Sequence, residues 1–81
     1  GWSEDEWVNL SRILFRESRC DPNAFNGADH GLTQINRIHR EWVESMGLKM
    51  TDLFDPAINL RFAHELYSAS GWSPWAWLGK P

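Results

Sequence analysis

Apolar positions along the chain fall at helical spacing in three stretches, each framed by start and stop chemistry. In the first, Trp7, Leu10, Ile13, Leu14 and Ser18 share a face, which predicts a helix over residues 4–19. Ser3 followed by Glu6 is a capping box, and Asp5 adds negative charge to the first turn. Asp21-Pro22-Asn23 then stops the helix. Residues 21–36 are rich in turn formers, with Asn26-Gly27 the strongest local signal. Leu32, Gln34 and Asn36 alternate with Thr33 and Ile35, so this region is expected to be irregular or a short β-hairpin. A second helix is expected over residues 37–46, with Trp42, Val43 and Met46 on its apolar face and Gly47 just past its end. Residues 48–54 read as a connector pinned by Leu53 and Phe54.

Asp55-Pro56 opens the third helix with a cap and a first-turn proline. Its stripe is Ile58, Phe62, Leu66 and Ala69, with Ala63 and Tyr67 beside it, and Gly71 ends it. Ser73-Pro74 repeats the cap-and-proline signature and predicts a short fourth helix through Trp75 and Trp77. The expected fold is therefore mainly α, with about four helices and one hairpin-like segment, in a single domain spanning residues 1–81.

Eighty-one residues stand near the lower limit for a domain with its own core. Six tryptophans compensate, since each removes roughly 150–250 Å² from water when buried. Trp2, at the terminus, and Trp42, on a helix, read as structural, whereas Trp72, Trp75 and Trp77 suit a cleft wall, because an indole packs well on the apolar face of a sugar ring. A net charge of −3 argues against nucleic acid, which demands a basic patch. No apolar run approaches a membrane span, so membrane insertion is not expected. The opening residues are acidic and amphipathic rather than basic then apolar, so no signal peptide is read, and Gly1 in place of methionine points to a domain of a longer protein. Cys20, the single cysteine, has no internal disulfide partner and reads as a small, at least half-buried apolar group. His30, His39, His64 and Cys20 match no metal spacing, so no metal or other cofactor is expected and the histidines read as scattered surface residues.

Glu17 is the first residue with catalytic promise. It follows Leu14 by three positions and Ile13 by four, beside the apolar stripe and near a helix C-terminus. Partial desolvation and the negative helix end both disfavour a carboxylate anion, the setting a general acid needs. Asp29 comes twelve positions later, in a turn. It reads either as a turn former or as a second carboxylate facing Glu17, and two carboxyls across a cleft serve glycoside hydrolysis. Gln34 and Asn36 project the same way from an extended segment and suit hydrogen bonds to sugar hydroxyl and N-acetyl groups. Asn59 lies one turn into the third helix, where an amide has poor propensity, and is a candidate for supporting the cleft.

The stretch Glu17-Ser18-Arg19-Cys20-Asp21-Pro22-Asn23-Ala24 resembles the catalytic signature of the soluble lytic transglycosylases, relatives of goose-type lysozyme. Gly31-Leu32-Thr33-Gln34-Ile35-Asn36 is similar to that family's Gly-Leu-Met-Gln motif, and Asn59 in Asn59-Leu60-Arg61 matches its helix asparagine. Trp72-Ser73-Pro74-Trp75-Ala76-Trp77 falls where the family carries an Ala-x-x-Tyr-Asn segment, with Trp77 nearest the usual Tyr. The run from Asp29 to Asn36 also resembles the Asp-x-Gly-x-x-Gln-Ile-Asn segment of animal-type lysozymes. The resemblance extends from about residue 7 to residue 79.

It implies a lysozyme-like fold and cleavage of the β-1,4 bond between N-acetylmuramic acid and N-acetylglucosamine in peptidoglycan. Glu17 would be the acid and base, Asp29 the second carboxylate, and Ser18, Gln34, Asn36, Asn59, Trp75 and Trp77 the substrate-binding set. Outcome by hydrolysis and outcome by transglycosylation to a 1,6-anhydro product both stay open. The expected partner is the glycan strand, met by a monomeric domain acting at the bacterial wall, whether secreted, periplasmic or virion-associated. A noncatalytic wall-binding or structural module on the same fold is the rival reading.

Overall fold

A computed structural model describes residues 2–75. Helix α1 (Glu4–Ile13) starts where the capping box puts it: Ser3 Oγ accepts from the Glu6 amide at 3.3 Å, and Glu6 Oε1 accepts from the Ser3 amide at 2.9 Å. The α-helical register does not run to residue 19 as expected. It widens into a π-turn over Leu14–Ser18, and the chain leaves through Arg19 and Cys20 at φ 55° and 61°. The widening moves the buried line of the helix. Leu10 and Ile13 are buried, and the next buried position is Ser18, five residues on, rather than Glu17, four residues on. The expected stripe needs one correction, since Trp7 is 46% exposed, and Cys20, expected to be at least half-buried, is exposed.

Strands β1 (Asp29–His30) and β2 (Ile35–Asn36) form an antiparallel pair in which Asp29 faces Asn36 and His30 faces Ile35. The reversal between them is residues 31–34, not Asn26-Gly27, whose turn instead lies between Phe25 and its bridge partner His30. A 3₁₀ turn (Arg37–His39), capped by Asn36 Oδ1, leads into helix α2 (Arg40–Ser45), so the expected second helix is an α segment with a tighter entry. It closes as a Schellman motif, with the Gly47 amide on Glu44 O, the Leu48 amide on Val43 O and Gly47 at φ 80°. The expected connector contains a 3₁₀ turn (Met50–Phe54).

Helix α3 (Pro56–Ser70) begins where Asp55 Oδ1 accepts from the Ala57 and Ile58 amides and stops at Gly71. Its buried face is Asn59, Phe62, Ala63 and Leu66. The expected stripe is thus rotated: Ala69 is exposed, and an amide occupies a position the apolar pattern left out. Phe62, Leu66, Val43, Leu53, Ile35, Ile13 and Trp75 meet in one core. The expected last helix is a 3₁₀ turn at residues 73–75 as far as the description reaches.

Asn59, with no exposed surface, holds the hairpin to α3. Its Oδ1 accepts from the Thr33 amide at 3.0 Å and from Thr33 Oγ1 at 2.6 Å, and its Nδ2 donates to His30 O at 3.0 Å and Leu53 O at 2.9 Å. Gly31 makes room for that amide: at φ +75°, a methyl group here would drive into Leu53 O and the Asn59 Nδ2. Removing the amide leaves buried backbone groups unpaired, at about 1–3 kcal/mol for each group. Asn59→Ala is expected to lose at least about 3 kcal/mol, read as a lowered urea midpoint with an unchanged slope.

Candidate active site

A groove of about 500 Å³ runs between the π-turn, the hairpin, α2 and the end of α3. Glu17, Asp29, Gln34 and Asn36 all line it, so four residues singled out separately in sequence share one cavity. Its apolar lining is Ile35, Ile38, Trp42, Leu66, Pro74 and Trp75.

Each polar residue is held by its local structure. The π-turn leaves Glu17 half-buried at the groove edge. Asp29 is gripped from both sides: Asn26 Nδ2 donates to Oδ2 at 3.0 Å, and Asn36 Nδ2 donates to Oδ1 at 2.9 Å. Asn26 Oδ1 also accepts from the Ala28 and Asp29 amides, so one side chain shapes the turn and aims the carboxylate it carries. Gln34 sits in the left-handed region at φ 53°, and its Nε2 donates to Ala24 O at 3.0 Å and Gly31 O at 2.8 Å. Its amide protons are therefore spent on the hairpin, which leaves the carbonyl oxygen as the group able to meet a ligand.

Three expected contacts take other roles. Asn59 is sealed in the core and has no surface to offer a sugar. Ser18 is 7% exposed and donates from Oγ to Leu14 O at 3.0 Å, which closes it into its own turn. Trp75 does line the groove but is only 4% exposed, with Nε1 donating to Thr33 O at 2.9 Å. It braces the hairpin turn and leaves little surface for stacking. Trp77 lies outside the described residues. Trp72 is not a groove residue either. It stacks on Trp2 at 5.8 Å and packs on Tyr67 at 4.3 Å, while Trp2 Nε1 donates to Leu60 O, so this group ties the start of the chain to α3.

Sequence reasoning missed Ile38, His39 and Trp42 as groove residues. Ile38 is 79% exposed, a signal visible only once the fold is known. His39 packs on Trp42 and Phe62, each with ring centroids 6.3 Å away, and burial lowers its pKa below the usual 6.5. Among the described residues, no three His, Cys, Asp or Glu side chains gather to hold a metal ion, and no helix is long and apolar enough to cross a membrane.

The fold and groove define a small helical domain with two carboxyl-bearing residues, Glu17 and Asp29, lining one cleft. The family described as Lysozyme like domain matches residues 1–77, and the chain belongs to that family. At the family level this places it with peptidoglycan-related glycosidases and transglycosylases. No curated protein and no solved structure matches the chain significantly.

His39 makes stability depend on pH with a definite sign. The unfolded chain takes up its proton near 6.5 and the folded chain only at lower pH, so acidification favours unfolding below about pH 6.5. The Glu6 carboxyl is held below its usual 4.5 by the Ser3 amide and acts only at lower pH still. Between about pH 7.5 and pH 5.5, the fall in urea midpoint is expected to be smaller in His39→Gln than in the parent chain.

Proposed function

We propose that the chain is a muramidase that cuts the β-1,4 bond between N-acetylmuramic acid and N-acetylglucosamine, with Glu17 as general acid and base and Asp29 as the second carboxylate. One observation carries this reading: Glu17 and the doubly hydrogen-bonded Asp29 line the same groove. Two carboxyls flanking a cleft are the equipment of glycoside hydrolysis.

In this mechanism the Glu17 carboxyl gives its proton to the glycosidic oxygen. The bond from that oxygen to the anomeric carbon breaks, and the N-acetylglucosamine leaves with a free 4-hydroxyl. Positive charge grows on the anomeric carbon, and the Asp29 carboxylate stabilises it electrostatically or by a transient ester. Glu17, now a carboxylate, takes a proton from water as the water oxygen bonds to the anomeric carbon. One water is consumed, and Glu17 ends protonated. Gln34 and Asn36 border the sugar, and the Ile38, Trp42 and Pro74 wall covers its apolar face. The grip of Asn26 and Asn36 on Asp29 favours hydrolysis over transglycosylation, because it fixes a second carboxylate for the cationic transition state, and transglycosylation by Glu17 alone does not require one.

Glu17→Gln is expected to lower the release of soluble fragments from purified peptidoglycan by about 10²–10⁴-fold, and Asp29→Asn by about 10²–10³-fold. The mass of the released muropeptides checks the outcome, since hydrolysis adds one water and 1,6-anhydro formation adds none. Undiminished activity in Glu17→Gln removes Glu17 from the reaction. A parent chain that binds wall without releasing fragments leaves a glycan-binding module instead.

A further inference from the structure

The three histidines, all among the described residues, have different surroundings. His30 is tied to its own hairpin, with Nδ1 at 3.2 Å from Ile35 O, and His64 packs on Trp2 and Tyr67. His39 lines the carboxylate groove. It closes the 3₁₀ turn that Asn36 caps, and its ring is set by Trp42 on α2 and by Phe62, buried on α3. Trp42 and Phe62 meet edge to face at 5.4 Å, so the three rings hold one another in a triangle. The described residues give no hydrogen-bond partner to either ring nitrogen of His39, and none of their buried side-chain nitrogens or oxygens lacks a partner. The His39 nitrogens are therefore accessible, on a half-buried ring at the groove. Burial lowers its pKa, so the ring is neutral at pH 7 and offers one N–H donor and one lone-pair acceptor. Its neighbours along the groove are the apolar Ile38 and Trp42.

We propose that His39 is a specificity-determining residue that reads an acetamido group of the glycan, with Ile38 and Trp42 taking the acetyl methyl. The inference rests on the muramidase reading and narrows it to strands that keep their N-acetyl groups. An uncharged donor–acceptor ring beside apolar side chains complements a substituent that joins an amide to a methyl. A hydroxyl would leave the apolar neighbours unused. The ammonium of an N-deacetylated sugar gives the ring N–H nothing to donate to, and it would lose hydration against Ile38 and Trp42. The other polar groups of the groove cannot make this distinction. The Asp29 carboxylate attracts an ammonium, and the Gln34 carbonyl oxygen accepts from an ammonium as readily as from an amide. Discrimination against the cationic sugar therefore falls to the neutral ring.

The test uses the full 81-residue chain and soluble peptidoglycan strands, N-acetylated or chemically N-deacetylated, at about pH 7.5, where the ring is neutral. His39→Phe keeps a ring against Trp42 and Phe62 and removes both nitrogens. It is expected to raise KM for acetylated strands about three- to tenfold with kcat unchanged, the effect of losing one hydrogen bond made equally in ground and transition state. On N-deacetylated strands the same substitution is expected to change KM by about twofold at most. His39→Gln restores a donor and an acceptor and is expected to recover most of the loss. A second readout needs no variant. In the parent chain, the His39 ring-nitrogen NMR resonances are expected to move on saturation with N-acetylglucosamine oligomers and to stay in place with glucosamine oligomers. The proposal is overturned by an equal loss on both kinds of strand, by a loss in kcat rather than KM, or by acetylated oligomers that fail to bind or bind with the ring unmoved. Failure of the muramidase reading looks different: the parent chain releases no fragments from the wall, and the ring resonances then decide on His39 by themselves.

Discussion

One buried amide decides where the groove is. Asn59 accepts from Thr33 twice and donates to the carbonyls of His30 and Leu53, so a single side chain on α3 satisfies polar groups of the hairpin and of the connector before it. A hairpin of two-residue strands has too little pairing of its own to be stable in water. It keeps its shape because the Asn59 amide and the Trp75 indole, which donates to Thr33 O, clamp its turn from two sides. Asp29, Gln34 and Asn36 are carried on that clamped segment, so the polar wall of the groove depends on a residue that does not touch the groove.

The carboxylates reach the groove by different routes. Glu17 arrives through backbone geometry, in a wide turn ended by two left-handed residues. Asp29 arrives through side-chain hydrogen bonds from Asn26 and Asn36. Asn36 does more, since its Oδ1 also caps the turn carrying Ile38 and His39. The aim of the second carboxylate and the start of the apolar wall are thereby set by one side chain.

Local chemistry was legible in the sequence. The Ser3–Glu6 box, the Asp55-Pro56 start, the Gly47 and Gly71 ends and the hairpin region are all dictated by residues a few positions apart. Long-range packing was not. Periodicity assigned Ile58 and Ala69 to the buried stripe of α3, but the need to satisfy hairpin carbonyls turned Asn59 inward. Periodicity likewise placed Trp7 inside, whereas α1 buries only Leu10 and Ile13. Glu17, Asp29, Gln34 and Asn36 were legible as candidate site residues, and the groove brings them together. Ile38, His39 and Trp42 were not, because an exposed isoleucine or a half-buried tryptophan has no local signature of facing a cleft.

The wide turn at Leu14–Ser18 amounts to one inserted residue in an otherwise ordinary helix. Deleting one residue there would let α-helical hydrogen bonding run on through the segment and would rotate everything after it by about 100°. The helix itself would gain regularity, while its carboxylate would swing away from the hairpin. In this small chain a change of length in the segment is therefore costlier to the groove than an exchange at its exposed positions, because residue count sets which side chain faces the hairpin.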